Sequence, residues 1–418
     1  MNMPENLLRF LQEHNRLSRR FFVQAGFASA AAMSVLPASA NESDSPQLRE
    51  AIAKLESWLT PSDDFGDVSR GTPIPHTLPE EKREEAGLTR DTWKLNVISD
   101  PDNPASIKNP LEKENAFTFD DLMTLAKDRA VRFPKVMTCL NIGCPLGMGI
   151  WEGVPLREVI WKTQPTENLR RVFYYGYHNE KPDQMFRSSL PAGRILEDPF
   201  DLPPVILCYK LNGQWLSPER GGPVRIVVPE AYGFKSIKWL TNVVLSNMPA
   251  ANDTYAEQNN DVDSHLKTFC ATLNAPKKVK PDAVIPITGW AQAGISGLRK
   301  VQVWISKQDT PRPVNDPHFT TAPWQDATIL KSPDAFGGGR AEGAIPLQTM
   351  HFDSAGKPTT WPLPLSKVHW CFLHNGLPTG KYILRCRTID TKGNAQPMPR
   401  PFRKSGHAKI ERIRFEVS

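Results

Sequence analysis

Hydrophobic positions along this chain change their spacing at recognisable points. Leu48, Ile52, Leu55, Trp58 and Leu59 recur at helical intervals, which predicts a short helix within residues 41–60. A proline-rich arm follows from Pro61 to Glu80. Between Trp93 and Asn247 the pattern is mixed. Phe119–Ala130 and Leu156–Lys162 have helical spacing, while Arg171–Tyr177, Val205–Lys210 and Val224–Val228 are strand-like runs. Such mixing predicts an α+β domain around one core. From Ile285 onward the pattern is all-β, with strand-like runs at Ile285–Trp290, Leu298–Ser306, Lys367–Leu373, Lys381–Ile389 and Ile410–Val417. Pro/Gly-rich turns separate them, and that spacing predicts a β-sandwich. Residues 248–282 are polar, with Asn252-Asp253, Asn259-Asn260-Asp261 and a lysine-rich stretch from Lys277, and read as a linker.

The first forty residues read as an address. Ser18-Arg19-Arg20-Phe21-Phe22 precedes a mildly apolar, Ala/Gly/Ser-rich stretch from Val23 to Leu36, and Ala38-Ser39-Ala40 has the small residues of a cleavage site. These features in order predict a twin-arginine export signal over 1–40 and an exported, periplasmic chain; an ordinary amphipathic N-terminal helix is the alternative. The expected organisation is therefore signal 1–40, first domain 41–247, linker 248–282 and second domain 283–418. No later stretch is long and apolar enough to predict a membrane anchor.

Charge changes the picture little. The chain carries a net charge of +6, and the signal takes four arginines and two acidic residues with it. What remains gives no reason to expect a nucleic acid or a membrane surface as partner. The six cysteines are Cys139, Cys144, Cys208, Cys270, Cys371 and Cys386. Cys371 and Cys386 lie on runs that look like a hairpin, so they either pair or stay reduced like the rest. The chain has no CxxCH, CxxC or HExxH pattern, which disfavours attached c-type haem and zinc-protease chemistry.

The densest chemistry lies between Val136 and Arg157. Cys139 closes an apolar segment, a glycine-punctuated loop is expected from there to Trp151, and Trp151-Glu152-Gly153-Val154-Pro155-Leu156-Arg157 leads into a helix. One thiolate in a glycine-lined pocket suits a soft ligand for a bulky redox metal cofactor. A core cysteine beside glycines is the plainer reading of that stretch taken alone.

Read together, several motifs resemble the sulfite oxidase family of mononuclear molybdenum enzymes. They are Cys139-Leu140-Asn141, the Trp151–Arg157 run, Leu211-Asn212-Gly213-Gln214-Trp215-Leu216, Gly221-Gly222-Pro223-Val224-Arg225-Ile226-Val227-Val228-Pro229 and Tyr232-Gly233-Phe234-Lys235-Ser236-Ile237-Lys238-Trp239-Leu240. In the second unit, Gly289-Trp290-Ala291 and Arg387–Pro397 resemble that family's dimerisation domain. The resemblance implies a molybdopterin-binding domain followed by an immunoglobulin-like β-sandwich, a possible homodimer, and one molybdopterin without haem. It implies Cys139 as the molybdenum ligand. Arg225, Lys235, Ser236 and Lys238 match the pterin-phosphate anchor, and a basic solvated loop is the alternative for that block. Asn141 either turns its amide to the cofactor edge or simply forms a turn.

Departures from the family pattern bear on substrate. The arginine that often follows the ligand cysteine is missing, and Cys144 stands near its place. Arg220 replaces a common histidine, and His178 sits where an aspartate is common; both are candidate cofactor contacts and candidate catalytic residues. Arg70, in Val68-Ser69-Arg70-Gly71, matches the family's N-terminal arginine motif, with Thr72 or His76 for its companion, and Arg403 is a weaker candidate. The usual active-site tyrosine has no counterpart between Asn259 and Lys267. The function expected is oxygen transfer to a small sulfur oxyanion, sulfite to sulfate, with Cys139 tuning the metal and Arg70, Arg220 or His178 orienting the substrate. Electrons would leave to an external acceptor such as a c-type cytochrome. The alternatives are reduction of an S-oxide or N-oxide on the same fold, and a non-catalytic exported binding protein.

Overall fold

The computed structural model describes residues 45–140, 145–178, 185–311, 314–340, 343–397, 402–406 and 409–418. The stretch expected to be an export signal, Asn141 and Cys144 lie outside the described residues. Helix α1 (Pro46–Ala53) starts with proline in its first turn, where a missing N–H costs nothing. It ends before Leu55, Trp58 and Leu59, so the expected helix within 41–60 is shorter than its spacing suggests. Leu59 is instead extended and donates its N–H to the Phe336 carbonyl at 2.8 Å. After α2 (Glu80–Glu85) come β1 (Lys94–Ser99), β2 (Phe117–Thr118) and α3 (Phe119–Arg129). A reciprocal cap opens α3: Thr118 Oγ1 accepts the Asp121 N–H, and Asp121 Oδ2 accepts the Thr118 N–H.

β3 (Val131–Thr138) and β4 (Pro145–Pro155) then form an antiparallel pair. β4 overturns the expected glycine-punctuated loop: from Pro145 on, the glycines are strand residues whose missing side chains make room for neighbours. A Cβ on Gly147 would stand 2.5 Å from the Phe65 ring, and one on Gly153 would stand 2.3 Å from the Leu207 carbonyl oxygen. The chain continues through α4 (Leu156–Ile160), β5 (Arg171–Gly176), β6 (Arg187–Pro191), α5 (Ala192–Leu196), β7 (Ile206–Leu211), β8 (Gln214–Trp215), β9 (Arg225–Val227) and β10 (Leu240–Ser246). These strands build two sheets, ordered β2-β1-β10-β5-β6 and β3-β4-β7-β8, with β9 paired to β7. Trp93, Val97, Val154, Tyr174, Leu207, Ile226 and Val243 belong to the core they share.

The second unit begins earlier than the expected boundary at 283. β11 (Phe269–Asn274) and β12 (Lys278–Val279) lie inside the segment read as a linker and already belong to its sheet. β13 (Ile285–Gln292), β14 (Lys300–Lys307), β15 (Gln325–Ile329), β16 (Lys367–His374), β17 (Gly380–Ile389) and β18 (Ile413–Val417) complete it. The order β11-β13-β16-β15-β14-β17-β18-β12 doubles back at β15, giving a β-sandwich filled by Ile287, Val303, Trp370, Leu384 and Phe415. β16 and β17 are therefore not a hairpin, because β15 and β14 lie between them, and neither Cys371 nor Cys386 is in a disulfide. No helix among the described residues is long and apolar enough to cross a membrane.

The two units share an aromatic cluster around Trp58. Its ring lies 5.4 Å from Phe336, 6.3 Å from Phe352 and 5.8 Å from Trp361, and its Nε1–H donates to the Lys367 carbonyl at 2.6 Å. Burying a ring of that size without an unpaired N–H is strongly stabilising. Trp58→Ala is expected to cost about 3–5 kcal/mol, read as a drop in the thermal unfolding midpoint.

Candidate functional site

Cys139 is the first residue after β3 and is half-buried. It lines a cavity of about 430 Å³ together with Phe65, Arg70, His178, Phe186 and Arg220. Arg225, Phe234, Ser236, Lys238 and Tyr255 also line it. Residues from four separate stretches of sequence thus meet around one sulfur. Gly233 helps to close the gap: a Cβ there would stand 3.3 Å from the Thr138 carbonyl oxygen, next to Cys139.

The basic residues are held in different ways. Arg225 is buried, donates to the Arg220 carbonyl at 2.9 Å and to the Ser236 carbonyl, and sits 5.3 Å from the Trp151 ring centre. Burial pushes its guanidinium down to about 10. Arg220 donates to the Phe65 carbonyl at 2.8 Å and pairs with Glu219. The Nε atoms of both arginines and the Nε2 of His178 are buried without a hydrogen-bond partner among the described residues. Such atoms are costly unless a bound group answers them. Arg70 is exposed, with its guanidinium 5.0 Å above the Phe186 ring.

Ser236 lines the cavity, and its Oγ accepts the Val228 N–H at 3.1 Å. Lys238 also lines it, but its Nζ is already held by Asp67 Oδ1 at 2.7 Å, Ser69 Oγ at 2.7 Å and the Glu219 carbonyl at 2.6 Å. Burial and the neighbouring Arg225 push that amine down to about 8. Lys235 departs from its expected role as a phosphate anchor. Its ammonium points into the core, donating to the Ser189 carbonyl at 2.7 Å and pairing with buried Asp253 at 3.5 Å. A fully desolvated ammonium needs a charged partner, and Asp253 supplies it away from the cavity. Arg403 is exposed and His76 faces Asp67 at 3.8 Å; neither lines the cavity. Asn141 and Cys144 fall outside the described residues.

Sequence reading missed the aromatic wall and Asp67. Phe234 and Tyr255 stack with centroids 4.1 Å apart, and Phe186 stands edge-on to Tyr255 at 5.4 Å. Asp67 stood in view beside Ser69 and Arg70, but its partner Lys238 lies 171 positions away.

A half-buried cysteine and unanswered arginine donors around one cavity on an α+β unit suit a large anionic cofactor with one soft metal ligand. The donor set fits a molybdopterin: Cys139 suits the metal, and the free Nε atoms of Arg225 and Arg220 suit its anionic groups. Residues 87–254 match the oxidoreductase molybdopterin binding domain. Through this domain the chain resembles the sulfite oxidase/nitrate reductase family of molybdopterin-binding proteins. It is similar to the NADPH nitrate reductase of Pichia angusta, 33% identical over 169 residues, covering 38% of this chain and 19% of that protein. It is also similar to the mitochondrial sulfite oxidase of Drosophila melanogaster, 29% identical over 116 residues, covering 27% of this chain and 19% of that protein. The chain thus spans about a fifth of the length of these curated relatives. The solved sulfane dehydrogenase SoxCD of Paracoccus pantotrophus shares the fold at a TM-score of 0.54 and 15% identity, over 93% of this chain and 96% of that one.

Burial alone would push the Asp67 carboxyl up, but its bonds from Lys238 and Ser69 outweigh this and hold it near 2. A carboxyl whose folded pKa lies below its unfolded value of about 3.9 stabilises the fold above that value and loses the contribution as pH falls through the folded one. Asp67→Asn is therefore expected to melt below the wild type at pH 7. The two melting curves should converge as pH approaches about 2, which thermal unfolding across a pH series checks.

Proposed function

We propose that this chain is a molybdenum-dependent oxidoreductase that transfers an oxygen atom to a small sulfur compound, most directly sulfite to sulfate. The observation that supports this reading is the convergence of Cys139, Arg70, Arg220, Arg225 and His178 on one cavity. Bound there, the molybdopterin supplies two-electron oxygen-atom chemistry at its metal. Cys139 holds the metal as a thiolate and raises the electron density on it. Arg225 and Ser236 hold the cofactor's anionic end, and Lys238 adds charge from the Asp67 side. Arg70 turns its guanidinium to an oxyanion substrate, and the unpartnered Nε2 of His178 offers it a further polar contact. Phe65, Leu140, Leu146 and Trp239 give the same cavity apolar lining. Electrons leave to a separate protein, for which a small c-type cytochrome is the natural class. The Ser18-Arg19-Arg20-Phe21-Phe22 run, read as a twin-arginine leader, supports an exported location.

A second reading has its own observation. The Phe186, Phe234 and Tyr255 rings give the cavity an apolar wall, and Arg70 alone among its described cations has no hydrogen bond or ion pair to another described residue. One free guanidinium on an aromatic wall favours a neutral S-oxide, reduced rather than oxidised, over a dianion.

The test is sulfite-dependent reduction of ferricyanide by protein verified to carry molybdenum. Turnover is expected, falling more than about 100-fold in Cys139→Ser. Arg70→Met is expected to raise the KM for sulfite far more than it lowers kcat. Full metal loading with no sulfite turnover, but with viologen-driven S-oxide reduction, would establish the second reading instead.

A further inference from the structure

The sandwich is a single sheet doubled over at β15, so strand pairing joins its layers on that side only, while on the other the short link from β11 to β12 crosses between the two ends of the sheet. There β11, at the end of the sheet, faces β17. Thr388 Oγ1 donates to the Thr268 carbonyl at 3.1 Å across that seam. The Gln396 side-chain oxygen accepts both the Cys270 N–H at 3.1 Å and the Thr388 N–H at 3.2 Å. Between these bonds two thiols meet. Cys270 on β11 and Cys386 on β17 are both buried where these two strands pack together, and the Cys270 sulfur lies 3.8 Å from the Gln396 side-chain oxygen. Thr272 Oγ1 lies 3.8 Å from the Cys386 sulfur, which in turn lies 3.6 Å from Glu411 Oε2.

We propose that Cys270 and Cys386 form a disulfide that closes the open seam of the sandwich. The pair differs from the hairpin pairing suggested by the sequence, because only the doubling of the sheet brings β11 against β17. The oxidant is a disulfide of low molecular weight, such as oxidised glutathione. One protein thiolate attacks it, forming a mixed disulfide and releasing one glutathione thiolate. The second protein thiolate then attacks the mixed disulfide and releases the other. Two electrons pass to the oxidant, and the two protons end on the two glutathione thiols.

Burial and the adjacent Cys386 sulfur hold the Cys270 thiol well above the ordinary thiol range, so it reacts little while the seam is shut. β11 is the weak point. It is an edge strand paired only to β13, its register slips between Thr272 and Asn274, and Leu273 is exposed. Fraying of β11 uncovers both sulfurs at once. Formation should therefore speed up under mild denaturant, whereas thiols at the surface would show no such dependence.

The experiment treats the reduced full-length protein with oxidised glutathione, quenches with acid and maps the peptides by mass spectrometry. The expected result is a linked peptide pair containing Cys270 and Cys386, an intact mass lower by about 2 Da, and a melting temperature raised by about 5–10 °C. Cys386→Ala should lose the linked peptide and the melting shift together. The mapping uses wild-type protein, so a poorly folding variant does not decide the matter. Glutathione adducts without a link, a link between other cysteines, or all thiols intact after oxidation through a cycle of mild denaturant would each overturn the proposal.

Discussion

The strand that carries Cys139 lies at the edge of its sheet, and its free edge must be answered. β3 pairs with β4 on one side only. On the other, the Val136 N–H donates to the Leu365 carbonyl at 2.9 Å, and the Arg132 carbonyl accepts the Met350 N–H at 2.8 Å. Both partners come from the long connection between β15 and β16. Thr138, the residue before the cysteine, hydrogen-bonds the Gln292 side chain at the end of β13, and Gln292 Nε2 holds the Lys267 carbonyl at 2.7 Å. Unpaired backbone groups in an interior are costly, so the second unit is part of what fixes the cysteine. Trp58, Phe336 and Leu363 add apolar burial to the same junction.

Inside that frame a buried lysine ties β3 to the back of the cavity. Lys135 is fully buried and donates to the Ala231 carbonyl at 2.7 Å, while its own carbonyl accepts the Trp151 Nε1–H at 3.0 Å. Burial pushes its amine down to about 7. Trp151 in turn lies under Arg225 and edge-on to Phe65. One chain of contacts thus runs from the cysteine strand through Trp151 to the arginine that faces the cavity. The other strong cations of the first unit serve the fold: Arg194 pairs with Glu230 at 2.7 Å, Arg132 with Glu152 at 2.7 Å, and Lys235 with Asp253. At the cavity, Arg225 and Arg220 each keep a donor in reserve.

Much of this was legible in the sequence. Helical spacing located α3 and α4 within a residue or two, because each lays an apolar stripe on the core. The β-branched runs located β5, β7, β9 and most strands of the sandwich. Cys139, Arg220, Arg225, Ser236 and Lys238 were singled out from local motifs, and they do line one cavity. The misses share a cause. The glycines of β4 looked like loop punctuation because glycine reports crowding by neighbours, and Phe65 and Leu207 are far off in sequence. The linker hid β11 and β12 because short edge strands carry little apolar signal. Lys235 and Lys238 looked alike in a basic block, yet one faces Asp253 in the core and the other Asp67 at the cavity.

Local order in the sequence determined which segments are helix or strand and which side chains bring thiolate and guanidinium chemistry, since propensity and spacing act over a few residues. Tertiary structure alone decided which charges are already neutralised, which donors remain free, which rings form the wall and which cysteines face each other. Those outcomes depend on partners brought together by the fold, some of them more than a hundred positions apart, as with Lys238 and Asp67 or Thr272 and Cys386. Burial sets their strength, and burial exists only once each unit has packed its own core.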